Sequence, residues 1–428
     1  MKYLILILLI LPFSGFSQKI ISDDVTNFWK AYDKVILEKD SVKQLQLIKT
    51  LYINKGTPGL NGIMKARGYS AEEYVFAINH YPKFWTSVRK NTLQAGKYSN
   101  EIQKGINKLK AIYPDLKPKN TYFEIGILRT NGTILDGMAL IGSEVALTDK
   151  SVITNEFDNR YPHLRGYFNT DPIKNVVFLN VHEYLHTQQN TTLGNSVLAQ
   201  SILEGVAEFL AETALNKKSP NPQIEFGYKN EVKIKTAFEK EMFSPYLGNW
   251  IWNNPNNVFG MRDLAYFVGF AICKKYYNES INKKAAVKEM IELDYNNEQE
   301  LTKFVEKSKY FAKPLNFYKN EFNKLRPKVV GIKEFKNGND NVNIENKVIT
   351  LNFSQPMNVN TRGFDYGPLG ESNVLSVKRV IGFSSDKTSF SFEVSLLPNR
   401  QYQSTVVNFR DANNFPIEPF LIDFKTSK

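Results

Sequence analysis

The pentapeptide His182-Glu183-Tyr184-Leu185-His186 constrains this chain more than any other feature, because it acquires meaning only on a helix. There the two imidazoles stand one turn apart, roughly 5–6 Å between Cβ atoms, with a carboxylate beside them. Both rings can then reach one Zn²⁺ at about 2.0–2.1 Å without distorting the backbone. The sequence has four histidines, at 80, 163, 182 and 186, so half of them fall inside one motif. The bland alternative is a pair of core histidines satisfied by backbone carbonyls.

The surroundings predict that helix. Asp171 followed by Pro172 reads as an N-cap with proline at the first helical position. Over residues 173–189, Ile173, Val177, Val181, Tyr184 and Leu185 form one apolar stripe. The histidines fall on another face with Phe178, Leu179 and Gln189, as suits side chains turned toward a cleft. Glu183 lies beside them, placed to take a proton from a water that the metal acidifies.

Such a site needs a third ligand from a second helix. Asn195 or Ser196 can cap a helix running to about Asn216, on which Glu204, Glu208 and Glu212 repeat at i, i+4 and i+8. Like charges stacked on one face repel by roughly 0.2–0.5 kcal/mol per pair, so the row asks for a cation or hydrogen bonds. Gly205 costs roughly 1 kcal/mol relative to alanine inside a helix and marks a close approach, expected from the motif helix. Glu204 is therefore read as the third metal ligand, and Glu208 as the carboxylate that orients a histidine ring through its other N–H. An exchange of those two roles, and two merely solvated charges, stay open.

His182-Glu183-x-x-His186 followed by Glu204-Gly205-x-Ala207-Glu208 resembles the gluzincin class of zinc peptidases, most closely a group of predicted bacterial zinc-dependent proteases of unknown function. The resemblance spans about residues 120–310 and takes in Tyr266-Phe267-Val268-Gly269, similar to a Tyr-x-x-Gly helix that follows the ligand helix in that group. It implies a zincin-like fold, a Zn²⁺ cofactor, peptide hydrolysis and a cleft-facing Tyr266. The Gly-x-Met-Glu-Asn motif of the aminopeptidases of the class is absent, which makes an endopeptidase the expectation. Hydrolysis builds negative charge on the carbonyl oxygen, and the Tyr266 hydroxyl is the first candidate to stabilise it, with Arg262 and His163 as alternatives. A tyrosine on a helix over residues 261–277 serves packing as readily.

With 428 residues, 42% apolar and 23% charged, the chain has the makeup of a folded protein of two or three units. Met1-Lys2-Tyr3, an apolar run over residues 4–13 and Gly15-Phe16-Ser17 read as a signal peptide over 1–17, cleaved before Gln18. The run is short for a membrane span and no cysteine follows it. A protein secreted or periplasmic, neither membrane-spanning nor a lipoprotein, is expected. Cys273 is alone, which excludes an intrachain disulfide, and reads as a small core residue. The net charge of +12 is dispersed and no nucleic-acid motif accompanies it, so the basic surface reads as solvated rather than as a nucleic-acid interface.

The expected fold class is α+β: a mainly helical zincin-like domain over 18–326 with a small sheet, then an all-β immunoglobulin-like sandwich over 327–428. Residues 18–117 form its helical lead, with Trp29, Tyr32, Val35, Ile36, Tyr74, Val75 and Ile78 as buried candidates. In the core over 118–326, residues 122–127 and 138–147 read as strands bracketing a turn at Asn131-Gly132. Residues 138–142 are a candidate edge strand for pairing with an extended substrate, or an ordinary core strand. Beyond Pro327, residues 349–353, 390–394, 402–407 and 420–424 alternate with period two. The stretches 353–357 and 397–402 resemble bacterial immunoglobulin-like modules of secreted proteins, which space domains or bind a protein or glycan partner. Residues 411–414 read as a plain turn more readily than as a calcium loop.

Three functions fit these residues: a secreted zinc endopeptidase acting on polypeptide, a zinc-binding non-catalytic adaptor of the cell envelope, or a zinc hydrolase of a non-peptide amide or ester. Glu183 favours the hydrolases, since a closed structural site has no use for a general base.

Overall fold

The computed structural model describes residues 18–157, 161–253 and 257–428, so the signal-peptide expectation for 1–17 lies outside the described residues. The architecture is α+β, as expected. Two compact units emerge. One holds the described residues up to Thr192 with Val206–Pro220 and Ser280–Leu293; the other holds Leu193–Gly205, Asn221–Glu279 and Asp294–Lys428. No helix among the described residues is long and apolar enough to cross a membrane.

In the first unit, helices Asp23–Val35, Ser41–Leu51, Pro58–Arg67, Ala71–His80, Pro82–Thr92 and Ser99–Ile112 come first. Their ends are written locally: Asp40 accepts the N–H groups of Val42 and Lys43, and Ser70 with Glu73 forms a reciprocal capping box. Their apolar faces close on Phe28, Trp29, Tyr52, Tyr74 and Trp85, all essentially enclosed. Both Tyr52 and Tyr74 donate their hydroxyls to the Ile125 carbonyl, at 2.7 and 2.8 Å, which ties the helical lead to the end of a strand.

That strand belongs to a four-stranded sheet of β1 (Ile20–Ile21), β2 (Thr121–Glu124), β3 (Thr133–Leu135) and β4 (Met138–Gly142), in the order β1-β2-β4-β3. β4 runs parallel to β2 and antiparallel to β3, so residues 138–142 form an inner strand and the sheet ends on β3. The hairpin turn is Asp136-Gly137, both at positive φ, a two-residue connection whose twist matches the strands it joins. This corrects the sequence reading, which put the turn at Asn131-Gly132 and ran the second strand to 147; the chain instead turns into the short helix Ser143–Ala146.

The motif helix spans Val176–His186, preceded by a 3₁₀ turn, Pro172–Asn175. Asp171 does not cap it as expected: its φ is +54°, and its carboxylate accepts from Lys150 N–H and Lys174 instead. The helix lies against Ser99–Ile112 at Gly105, where an added Cβ would meet Val181 Cγ2 at 2.9 Å. Behind it, the Tyr184 hydroxyl accepts the Lys119 N–H at 2.9 Å and reaches Gln18 Oε1 at 2.7 Å.

In the second unit, helices Pro222–Lys229, Glu231–Glu241, Ala265–Glu279, Glu298–Ser308 and Leu315–Leu325 precede seven strands. These are β5 (Val329–Ile332), β6 (Val348–Phe353), β7 (Gly363–Tyr366), β8 (Val377–Phe383), β9 (Ser389–Val394), β10 (Gln401–Val407) and β11 (Phe420–Lys425). They form two antiparallel sheets, β5-β6-β9-β8 and β11-β10-β7. Alternate residues Ile349, Leu351, Phe390 and Phe392 of one and Tyr402, Val406, Ile422 and Phe424 of the other share a single apolar core. Asp411 makes a turn, its Oδ1 accepting the N–H groups of Asn413 and Phe415. Cys273, on Ala265–Glu279, is fully enclosed.

Candidate metal centre

Position 204 is set by a helix crossing. The helix Val197–Leu215 starts where Ser196 Oγ accepts the Ala199 N–H at 3.2 Å, and Asn195 bonds Asn296 instead. Eight residues on, a Cβ on Gly205 would stand 2.1 Å from the carbonyl carbon of Gly269, and one on Gly269 only 1.6 Å from Ser201 O. Two glycines therefore let this helix and Ala265–Glu279 meet backbone to backbone. The sequence reading gave Gly205 the motif helix as its close neighbour. The close neighbour is Gly269, a contact between two helices whose spacing in sequence carries no signal of pairing.

His182, His186 and Glu204 each bring one ligand atom to within 4.8 Å of the others, and all three are buried. The ring nitrogens themselves argue for a cation. His186 Nδ1 is 2.6 Å from Gln189 Oε1, an oxygen that only accepts, so this nitrogen carries the hydrogen. His182 Nδ1 lies 3.0 Å from Glu208 Oε2, within ion-pair reach. That carboxylate also only accepts, which puts the hydrogen on Nδ1 of His182 too. The two remaining Nε2 atoms then face each other with lone pairs at 3.1 Å. With both hydrogens on Nδ1, neither neutral ring can donate to the other, and a positive charge between them, a proton or a metal ion, removes the conflict. Two nitrogens bound at about 2.0–2.1 Å to one tetrahedral zinc would be roughly 3.3 Å apart, close to this spacing. Two imidazoles and a carboxylate fit a divalent transition metal.

Glu204 and Glu208 thus hold separate stations one turn apart. Glu204 Oε1 accepts the Gln200 amide at 2.9 Å, an i to i+4 bond that steadies its rotamer. Glu208, fully enclosed, takes Ser219 Oγ on Oε1 and leaves Oε2 to His182. Glu212 is spent on the Ser219 N–H. The row of three glutamates is accommodated by a candidate metal group, a histidine and a loop.

Glu183 is 8% exposed, and the β2–β3 connection lies against it at Gly132: a Cβ there would stand 2.5 Å from Oε1. His182 at 6% and His186 at 8% are more enclosed than an open cleft would leave them. Tyr266 sits half-buried in the first turn of Ala265–Glu279, three residues before Gly269. Arg262 is engaged with Asp263 through Nε to Oδ2 at 2.5 Å, and His163 is exposed on the short helix Pro162–Phe168. His80 stacks on Phe76 and bonds its carbonyl at 2.8 Å.

Sequence reasoning missed Gln189 as partner of His186, Gln200 as support of Glu204, and the Asn131–Tyr167 pair beside Gly132. The second carried a readable signal, since a glutamine four residues before Glu204 on the same helix faces it, whereas Gln189 lies past the end of the motif helix.

No family model and no curated protein matches the sequence. Among solved structures, the chain is similar to the N-terminal part of the bacterial S-layer protein SbsC, at 12% identity over 94% of this chain and 70% of that one, with a TM-score of 0.20. It is also similar to the S-layer protein rSbsC(31-844), at 13% identity and a TM-score of 0.19, over 59% of this chain. The chain spans about a third of that longer structure.

Proposed function

We propose that this chain is an exported zinc endopeptidase, with a zincin-like part carrying the metal group and an immunoglobulin-like module formed by β5 to β11. One observation carries the reading: His182, His186 and Glu204 gather their ligand atoms, and Glu183 follows His182 directly on the same helix, with its carboxylate packed against Gly132. A divalent ion bound there would supply Lewis acidity to the substrate carbonyl and to the attacking water.

The chain's own residues then have distinct tasks. Glu208 and Gln189 fix the tautomers of the two histidines, so that each turns its unprotonated Nε2 inward. Glu183 accepts the proton that water sheds as its oxygen bonds the carbonyl carbon, and returns it to the nitrogen as the C–N bond breaks. The burial of the site lowers the local dielectric and strengthens both effects.

That same burial favours a second reading, a closed metal site in a binding protein of the envelope. The two separate on one experiment: metal content and cleavage of casein, measured on wild type and Glu183→Gln. The peptidase reading expects one zinc per chain in both proteins and a loss of turnover of order 10² or more in the variant. Wild type that holds zinc and leaves casein intact supports the closed site. A folded wild type that binds no divalent ion ends both readings.

A further inference from the structure

Gly132 brings the β2–β3 connection against Glu183, with an added Cβ 2.5 Å from Oε1 and 2.7 Å from Cδ. Its neighbour Asn131 sends Nδ2 to the Tyr167 hydroxyl at 2.9 Å, and accepts the Gly142 N–H on its carbonyl at 3.1 Å. The connection is anchored further back, where Glu144 accepts the N–H groups of Gly126 at 2.9 Å and Leu128 at 3.0 Å. Consecutive residues of this connection therefore touch Tyr167, through Asn131, and the carboxylate of Glu183, at Gly132. Burial, with the charge of Glu183 added to it, pushes the phenol up to about 12, so the hydroxyl keeps its hydrogen through the physiological range. With the Asn131 amide on one lone pair, that hydrogen is what the hydroxyl has to offer.

We propose that Tyr167, oriented by Asn131, donates its hydroxyl hydrogen bond to the carbonyl oxygen of the amide being hydrolysed beside Glu183. This rests on the hydrolase reading above, and it assigns to the short helix Pro162–Phe168 the donor that the sequence resemblance placed at Tyr266. Tyr167 keeps its proton throughout. It shares that proton more strongly as negative charge grows on the oxygen, so its contribution appears in the transition state rather than in ground-state binding.

The test compares wild type, Tyr167→Phe, Asn131→Ala, the double variant and Tyr266→Phe on three readouts. These are zinc per chain, kcat and KM on casein, and calorimetric affinity of the zinc-loaded protein for a phosphinic peptide, whose tetrahedral anion imitates the oxyanion. Tyr167→Phe is expected to keep its zinc and a KM within about twofold, to lose about 10²-fold in kcat, and to bind the phosphinic peptide at least about tenfold more weakly. Asn131→Ala is expected to lose less, and to add nothing in the Tyr167→Phe background. Should Tyr167→Phe fail to fold, Asn131→Ala carries the comparison, because it leaves the phenol in place.

Active wild type alongside a Tyr167→Phe variant with unchanged kcat and phosphinic-peptide affinity overturns the assignment and leaves the hydrolase reading standing. A loss confined to Tyr266→Phe does the same and returns the role to that residue. A zinc-loaded wild type that neither cleaves casein nor binds the phosphinic peptide removes the hydrolase reading and the assignment together.

Discussion

The Nε2 atoms of His182 and His186 stand 3.1 Å apart while both Nδ1 atoms face oxygens that can only accept. A folded chain without a cation between them holds a repulsion that metal relieves, so metal binding is expected to be linked to stability. Saturation at about a hundred times the dissociation constant contributes about 2.7 kcal/mol. Scanning calorimetry with and without a chelator measures this, and His182→Ala or His186→Ala is expected to abolish the difference. A melting temperature indifferent to chelation would mean that the group holds no ion.

Gly132→Ala tests the packing of the β2–β3 connection on Glu183. The added methyl falls 2.5 Å from Oε1, so either the carboxylate or the connection must move. Metal content is expected to stay at the wild-type level while casein turnover falls about tenfold or more, since small displacements of a positioned base cost large factors. Unchanged turnover would show that the connection yields freely.

Gly269→Ala tests the helix crossing. Its methyl would stand 1.6 Å from Ser201 O, and a backbone oxygen inside a helix cannot step aside as a side-chain tip can. A loss of about 3 kcal/mol or more is expected in urea unfolding, at the upper end of overpacking costs. Gly166→Ala, with nothing within 4 Å of its Cβ, is the control and is expected to be neutral or slightly stabilising.

Glu144 makes stability depend on pH. Burial pushes its carboxyl up to about 7 from an ordinary 4.5, against the pull of two backbone N–H groups. Tyr69, whose hydroxyl lies against Gly126, and the buried Glu124 flank it. A raised folded-state pKa means that the stability tied to Glu144 is complete below pH 4.5 and is lost as the pH rises to 7. The swing is about 3 kcal/mol. Urea midpoints of chelated wild type are expected to fall across that window more steeply than those of Glu144→Gln; equal slopes would contradict the shift.

The candidate metal group was legible because its information is local. Two histidines four residues apart and a glutamate beside Gly205 state their own geometry once a helix is granted, and the helix was granted by the apolar spacing. Tertiary pairings were not legible in this way. Gly205 announced a close approach but not that Gly269 would make it, and β4 gave no sign that β2 would lie parallel on one side and β3 antiparallel on the other. The turn was misplaced for a different reason. Asn131-Gly132 and Asp136-Gly137 are equally good turn pairs, and only the strand Thr133–Leu135, three residues long, distinguishes them. Tyr167 was hidden among 22 tyrosines, since its meaning comes from Asn131, 36 positions away.

The sulfur of Cys273 is sealed inside the helix Ala265–Glu279, and burial raises its pKa far out of the reactive range. A lone sealed thiol makes the molecule its own tally of opening events. An alkylating reagent should mark a chain once, and only when that helix has left its packing. Adduct mass against time thus counts excursions from the native state without any engineered label.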